Sequence, residues 1–389
     1  MSSARRLPAA LSAALILAVG MGFGRFAFTG LYPLMVRDGL LSVTGGSLAA
    51  SANYAGYLLG ALLLARSHER HAARICILAL AGTVAALAAM AIPAPVWFAI
   101  CVRLLAGIFS AMTLVGAAQW LLQTMGESHG APLMFSGVGL GILLSAELIA
   151  AGNAFGLGSA SIWCALALAG LVLALLAGPA LRQAPTPQQA QSAAAAPHDA
   201  PIPAGAILLI YGLAGFGYII TATYLPLLMR SGLAAVDPLQ VWAVFGLGAV
   251  PSCFLWHRLH LRLGSRMALA LNLLVQAIGV MLPALGQSAL LYLGSAVLVG
   301  GSFMGTVTIA MPAARAVAGQ VRFNMLAAMT ALYGIGQIVG PLAASALRGL
   351  TGSFVPALGT AAGALLVGAL CCLPLRRNAS LAGDTSGRR

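Results

Sequence analysis

The sequence predicts an all-α integral membrane protein: twelve transmembrane helices in two pseudo-symmetric six-helix bundles. Three observations predict it. Of 389 residues, 61% are hydrophobic and only 7% charged, against roughly 45–50% and about 25% in soluble domains, which excludes a soluble fold. Apolar runs recur along the whole chain at about the 20 residues that a hydrocarbon core of about 30 Å requires. The chain also repeats itself at an offset of 193 residues.

The first apolar run, 9–35, follows Arg5 and Arg6 and has the look of a secretory signal. It continues past any cleavage point to Tyr32, and the repeat requires it, so it is read as the first spanning helix. Runs at 46–65, 75–92, 96–121, 131–152 and 160–179 complete an N-terminal bundle, 1–181. Runs at 205–229, 239–257, 267–285, 289–311, 323–347 and 354–374 make a C-terminal bundle, 204–375. Between them, 182–203 carries the stretch PTPQQAQSAAAAPHDAP. Such a composition holds too few apolar residues to order itself and predicts a cytoplasmic linker. Residues 376–389 form a short polar tail.

The repeat is clearest in the first and seventh runs. Gly22-Phe23-Gly24 falls on Gly215-Phe216-Gly217, Pro33-Leu34 on Pro226-Leu227, and Arg37, Gly39 and Leu40 on Arg230, Gly232 and Leu233, all without a gap. Gly137-Val138-Gly139 and Gly334-Ile335-Gly336 repeat more weakly in the fifth and eleventh runs. Orientation follows from the basic residues, which favour the cytoplasmic side. With the N-terminus inside, only Arg37, Arg230 and Arg348 fall outside and only Arg25 and Arg103 lie within helices, leaving the other basic residues cytoplasmic. Both termini are therefore expected in the cytoplasm.

Several chemistries are excluded. All twenty basic residues are Arg, so a phosphate loop with its essential Lys cannot exist and no ATPase lies on this chain. The net charge of +13 is scattered between apolar runs rather than gathered on one solvated face, which argues against a nucleic-acid partner. Cys76, Cys101, Cys164, Cys253, Cys371 and Cys372 lack metal-site spacing and are read as apolar packing residues. His68-Glu69-Arg70-His71 is one residue short of a zinc helix and is read as a solvated loop. The six histidines (His68, His71, His129, His198, His257, His260) fall in loops or at helix ends, which leaves an intramembrane enzyme without a base. No cofactor, metal or enzymatic activity is expected.

Parallel repeats about an axis along the membrane normal build transporters whose substrate site lies near mid-membrane. The pairs Gly20/Gly24, Gly56/Gly60, Gly137/Gly141 and Gly336/Gly340 allow close helix approach, for static packing or for sliding. With these features Gly-Phe-Gly-Arg-Phe-Ala in the first run, Gly-Phe-Gly-Tyr-Ile-Ile and Thr-Tyr-Leu-Pro in the seventh, and Gly-Ile-Gly-Gln-Ile-Val-Gly-Pro in the eleventh resemble the YbfB/YjiJ group of the major facilitator superfamily, over essentially the whole chain. The resemblance implies the major facilitator fold, alternating access, a bacterial cytoplasmic (inner) membrane, and a cavity lined by the first, fourth, seventh and tenth helices. The superfamily's basic, Gly-rich loop persists as Arg262-Leu263-Gly264-Ser265-Arg266, and as the basic residues of 66–74, with its Asp missing from both. The expected partners are a small-molecule substrate, the lipid bilayer and protons, with the chain a monomer.

Three ionisable residues fall inside apolar runs, where charge is costly and marks function by default: Arg25, Arg103 and Glu147. At ~1.5 Å per residue, Arg25 and Glu147 each lie about 24 Å from the cytoplasmic start of their helices, and Arg103 about 10 Å from the outer end of its own. That places all three in the outer third. The repeat sets Tyr218 opposite Arg25. If Arg103 pairs with Glu147, Arg25 is left for a carboxylate or phosphate gripped by two hydrogen bonds. Alternatively Arg25 binds backbone carbonyls near Gly22 and Gly24, pairs with Glu147, or snorkels outward. Tyr218, Thr221, Tyr224, Tyr333 and Gln337 supply polar groups from the other half, for substrate or for neighbouring helices, as do Asn53 and Gln119. Glu147 is the candidate proton-coupling group, loaded and released as its Arg partner is shared with substrate. The function expected is a secondary carrier for an organic anion. Efflux of amphipathic or neutral compounds, and a receptor without flux, are the alternatives.

Overall fold

The computed structural model describes residues 8–64, 67–182, 202–229, 237–323 and 325–373. Arg5, Arg6, Arg66, Arg230, Arg376, Arg377, Arg388, Arg389, His198, the repeat positions Gly232 and Leu233, nearly all of the expected linker and the whole of the expected tail lie outside them. Among the described residues there is no strand. The long helices are α1 Ala9–Arg37, α2 Val43–Leu63, α3 Ala72–Met90, α4 Val96–Thr124, α5 Ala131–Ala154, α6 Ser159–Arg182, α7 Ala204–Leu228, α8 Pro238–Met281, α9 Ala289–Val317, α10 Met325–Thr351 and α11 Val355–Cys372. Ten of the helices are long and apolar enough to cross a membrane. The 21-residue α2 falls short of that count, because Ser51, Asn53, Tyr54 and Tyr57 dilute its apolar content.

The helices start where local chemistry satisfies free amides. Ser42 Oγ accepts from Gly45 N at 3.0 Å, Asp237 from Leu239 N at 2.9 Å, and Ser288 from Leu291 N at 3.3 Å. The eighth and ninth apolar runs, expected apart, are the two arms of α8, two helices that meet at a break. Its break is one residue, Gly264, at φ 77° and ψ 169°, a left-handed conformation that glycine adopts without the Cβ penalty. The chain doubles back there, because both arms flank one stretch of α9. A Cβ on Gly248 would stand 3.0 Å from Val297 O, and one on Gly279 2.7 Å from Leu298 Cβ.

Burial sorts the helices into centre and rim. The most apolar window of α1 is 89% buried and that of α6 only 33%, so α1 runs through the middle while α6 faces outward. Leu63, Leu78, Leu168, Leu175 and Leu370 are each more than 60% exposed, an apolar surface that water disfavours and lipid accepts. Cys101 and Cys164 lie on it too. They are therefore not interior packing residues as expected, whereas Cys76, Cys253 and Cys372 are buried.

Small residues bring the helices to backbone contact. A Cβ on Gly22 would lie 2.4 Å from Gly141, and one on Gly137 2.0 Å from Ala14 O, fixing α1 on α5. The same holds for α7 and α10, where Gly336 would meet Gly212 O at 2.4 Å. Gly56 against Leu104 O, at 1.9 Å, joins α2 to α4, and Gly300 against Phe245 O, at 2.1 Å, joins α9 to the first arm of α8. Both of these packings in the N-terminal part of the chain thus have a counterpart 193 residues or so further on. Between the halves, Gly139 meets Ala249 and Val250, and Gly334 meets Leu58.

Candidate functional site

The middle of α1 is wound as a π-helix over Ala18–Phe26, a segment holding Gly20, Gly22, Gly24 and Arg25. Wide turns of this kind recur at functional sites. The glycines let Gly22 and Gly24 press on Gly141 and Thr83, so the bulge is clamped by its neighbours and Arg25 is held at the molecular centre. Arg25 lies about 24 Å from the start of α1 and about 18 Å from its end at ~1.5 Å per residue. The distance from the helix start is the one expected, and α1 continues to Arg37.

Arg25 is 2% exposed. Its Nη2 donates to Gln337 Oε1 at 2.6 Å, and Gln337 Nε2 in turn donates to the Tyr218 hydroxyl. Arg25, its repeat counterpart Tyr218, and Gln337 are thereby joined in one chain between α1, α7 and α10. The guanidinium carbon sits 4.1 Å from the Tyr57 ring centre, 5.3 Å from that of Tyr54 and 5.4 Å from that of Phe26. Arg25 Nε and Nη1 are buried without a hydrogen-bond partner.

Arg103, also expected to touch substrate, is bonded to backbone. Its Nη1 donates to Gly24 O at 2.9 Å and its Nη2 to Arg25 O at 3.0 Å, carbonyls of the π segment, while Phe28 covers it at 4.5 Å. The backbone role entertained for Arg25 therefore falls to Arg103, which positions Arg25. The pairing with Glu147, considered above as one alternative, is not formed. Glu147 lies on the exposed face of α5, and among the described residues the one ion pair is Arg37 with Asp38 at 2.9 Å. The helical period explains the error: depth along α5 was legible, but position 147 shares its side with the exposed Leu144 rather than with Ile142 and Ala146, which are buried.

Tyr333 joins the site, stacked on Tyr218 at 5.6 Å. Thr221 is buried with its hydroxyl unpartnered, one turn from Tyr218. Tyr224 is elsewhere, donating to Pro341 O at 3.2 Å beside Phe354. Asn53 and Gln119 bond neighbouring segments, Asn53 to Arg103 O at 2.9 Å and Gln119 Nε2 to Ser67 Oγ at 2.9 Å. His257 and His260 lie in the last two turns of the first arm of α8, before the break at Gly264, and His260 is buried. Missed from the sequence were Tyr54, Tyr57 and Phe303. The signal for the first two was present: aromatics three apart, flanking Gly56, share one helix face.

A buried arginine thus stands at the centre of a set of apolar, membrane-length helices. The comparison with protein families decides what kind of molecule this is. A family model described as an uncharacterised MFS-type transporter, YbfB, matches residues 17–373. The chain belongs to this family of major facilitator superfamily transporters. No curated protein matches it. The matched span runs from α1 through α11, so the whole helical array is that of a membrane transporter. This transporter is a multi-pass protein of the lipid bilayer with a small-molecule substrate.

At its outer rim, Arg37 Nη1 donates to Asn153 Oδ1 at 2.8 Å, and Asp38 Oδ2 accepts from Ser159 N at 2.7 Å. Asp38 thus caps α6 from the loop after α1. Burial works to raise its carboxyl pKa, but the Ser159 hydrogen bonds and Arg37 outweigh that and hold it below the ordinary value.

Proposed function

We propose that this transporter is a secondary carrier that moves a small organic anion across a bacterial cytoplasmic membrane by alternating access, as a monomer with both termini in the cytoplasm. The observation that carries the reading is the charge balance of the core. Two arginines are buried there, and no Asp or Glu among the described residues is buried with them. An uncompensated buried cation costs several kcal/mol, and a substrate carboxylate repays that cost. Gln337 takes one hydrogen of Nη2, the nitrogen shared by both two-bond edges of a guanidinium, so one complete fork stays free for a carboxylate.

Twelve crossings are the count that this reading needs. Adding α2 and taking the arms of α8 separately brings the ten apolar helices to twelve, and the paired packings of α1 on α5 and α7 on α10 support two related halves, 1–181 and 204–375. The halves would rock about contacts at the site, where Arg25–Gln337 and the Tyr54–Thr223 hydroxyl pair at 2.9 Å join them. With no buried carboxylate beside Arg25, the substrate's own gradient is the simplest driving force. Proton coupling through Glu147 is the second reading, since Glu147 is the one acid within an apolar run.

A thermal-shift screen of purified protein against anionic, neutral and cationic metabolites tests the proposal. Ligand at 100 times its Kd stabilises by about 2.7 kcal/mol. Stabilisation by anions in the wild type but not in Arg25→Ala is the expected result. Shifts from neutral or cationic compounds alone would move the efflux reading ahead.

A further inference from the structure

We infer that the Arg25 site takes a monocarboxylate with a flat, apolar body, rather than a dicarboxylate or a phosphorylated compound. The inference rests on the anion reading above and goes beyond it in two respects, charge and shape.

The charge follows from what Arg103 is doing. It is the other arginine in the buried core, and both of its terminal nitrogens are committed to the Gly24 and Arg25 carbonyls. Releasing it to a ligand would orphan two buried carbonyls, each at the full desolvation cost of a buried acceptor. One guanidinium fork therefore remains for substrate, and a fork matches the two coplanar oxygens of one carboxylate. A second negative charge would face the Tyr54, Tyr57 and Phe26 rings, whose faces are electron-rich and repel anions while they attract the guanidinium.

The shape follows from the walls. Beyond Gln337 the rings continue, with Tyr218 stacked on Phe303 at 5.5 Å with an interplanar angle of 14° and on Tyr333 at 5.6 Å and 20°. These rings lie face to face on one another, so a ligand enters by parting them, and a planar apolar body takes the place between two rings that another ring now holds, whereas a hydroxylated sugar or a polyol would strand its hydroxyls. Of the polar groups at this wall, Gln337 and the Tyr218 hydroxyl are bonded to each other, and the Thr221 hydroxyl one turn from Tyr218 is buried without a partner.

The test is equilibrium binding of radiolabelled benzoate to the detergent-purified full-length protein, competed by benzamide, succinate and inorganic phosphate. Benzamide keeps the ring and loses the charge, while succinate and phosphate keep charge and lose the ring. The account predicts saturable benzoate binding, with each competitor weaker than unlabelled benzoate by roughly tenfold or more, the worth of a charge-assisted hydrogen bond. Arg25→Lys, which keeps the charge and removes the fork, weakens benzoate by a similar factor. Phe303→Leu, which removes one ring of the wall, weakens benzoate about threefold or more and acetate by less. The wild-type competition stands alone if a variant does not fold. Absence of benzoate binding, or succinate or phosphate competing as well as benzoate in an Arg25-dependent way, overturns the inference and leaves the anion reading standing. Benzamide binding as tightly as benzoate overturns both.

Discussion

Arg25 shows how a single residue type at a single depth carries functional information. A guanidinium that is 2% exposed, hydrogen-bonded once and packed on three aromatic rings has no structural need that a Leu or Gln would not meet more cheaply. Its importance was legible in the sequence because charge inside an apolar run is rare. Its partners were not, since Gln337 lies 312 residues away and nothing local marks the pairing. Glu147 stood out by the same rule and stands apart in space, because a rule about depth says nothing about which side of a helix a residue occupies. Glu147→Gln is accordingly expected to leave transport and its dependence on pH within about twofold of wild type, measured as initial uptake at pH 6 and pH 8. A pH dependence abolished by the substitution would instead assign the proton step to Glu147.

At the scale of elements, the π segment of α1 and the arginine that braces it form one device. Arg103→Met would leave the Gly24 and Arg25 carbonyls unpaired in the core. Loss of two hydrogen bonds to a charged group, at about 1.5–3 kcal/mol each, predicts a thermal unfolding temperature well below that of wild type and a weakened anion response. The glycine contacts are equally specific. A Cβ at Gly137 would stand 2.0 Å from Ala14 O, and that atom is helix backbone with nowhere to retreat, so Gly137→Val is expected to cost at least about 1–3 kcal/mol and to lower the yield of monodisperse protein. The Asp38 cap makes a pH-dependent prediction. A carboxyl held below its ordinary value in the fold contributes stability that is full above the unfolded pKa of about 3.9 and is lost as pH falls through the lower folded value. Asp38→Asn should therefore unfold earlier than wild type at pH 7, and the gap should close as pH drops below about 4. Helix positions were largely legible from apolar runs, and the loop after the eighth run was anticipated where the structure has only Gly264. Neither the π winding nor the cross-loop cap has a periodic signature, so neither could be read beforehand.

Across the whole molecule, the duplication visible as Gly-Phe-Gly at 22 and 215 returns as duplicated packing, α1 on α5 and α7 on α10. The chemistry is not duplicated. Arg25 stands where the repeat has Tyr218, and both buried arginines come from the N-terminal part of the chain. The N-terminal part supplies the charge together with the Phe26, Tyr54 and Tyr57 rings, the C-terminal part supplies the Tyr218, Phe303 and Tyr333 rings and the Gln337 amide, and on the proposed reading the substrate is held between them. On that reading the anion is bound only when both halves contribute, which is the condition for coupling occupancy to closure. The most direct test is uptake of radiolabelled benzoate, succinate and phosphate into proteoliposomes containing wild-type protein or Arg25→Lys. The account predicts saturable uptake of at least one of these anions by the wild type, reduced about tenfold or more by the substitution. Flux confined to neutral or cationic compounds, or equal anion uptake by both proteins, would contradict it.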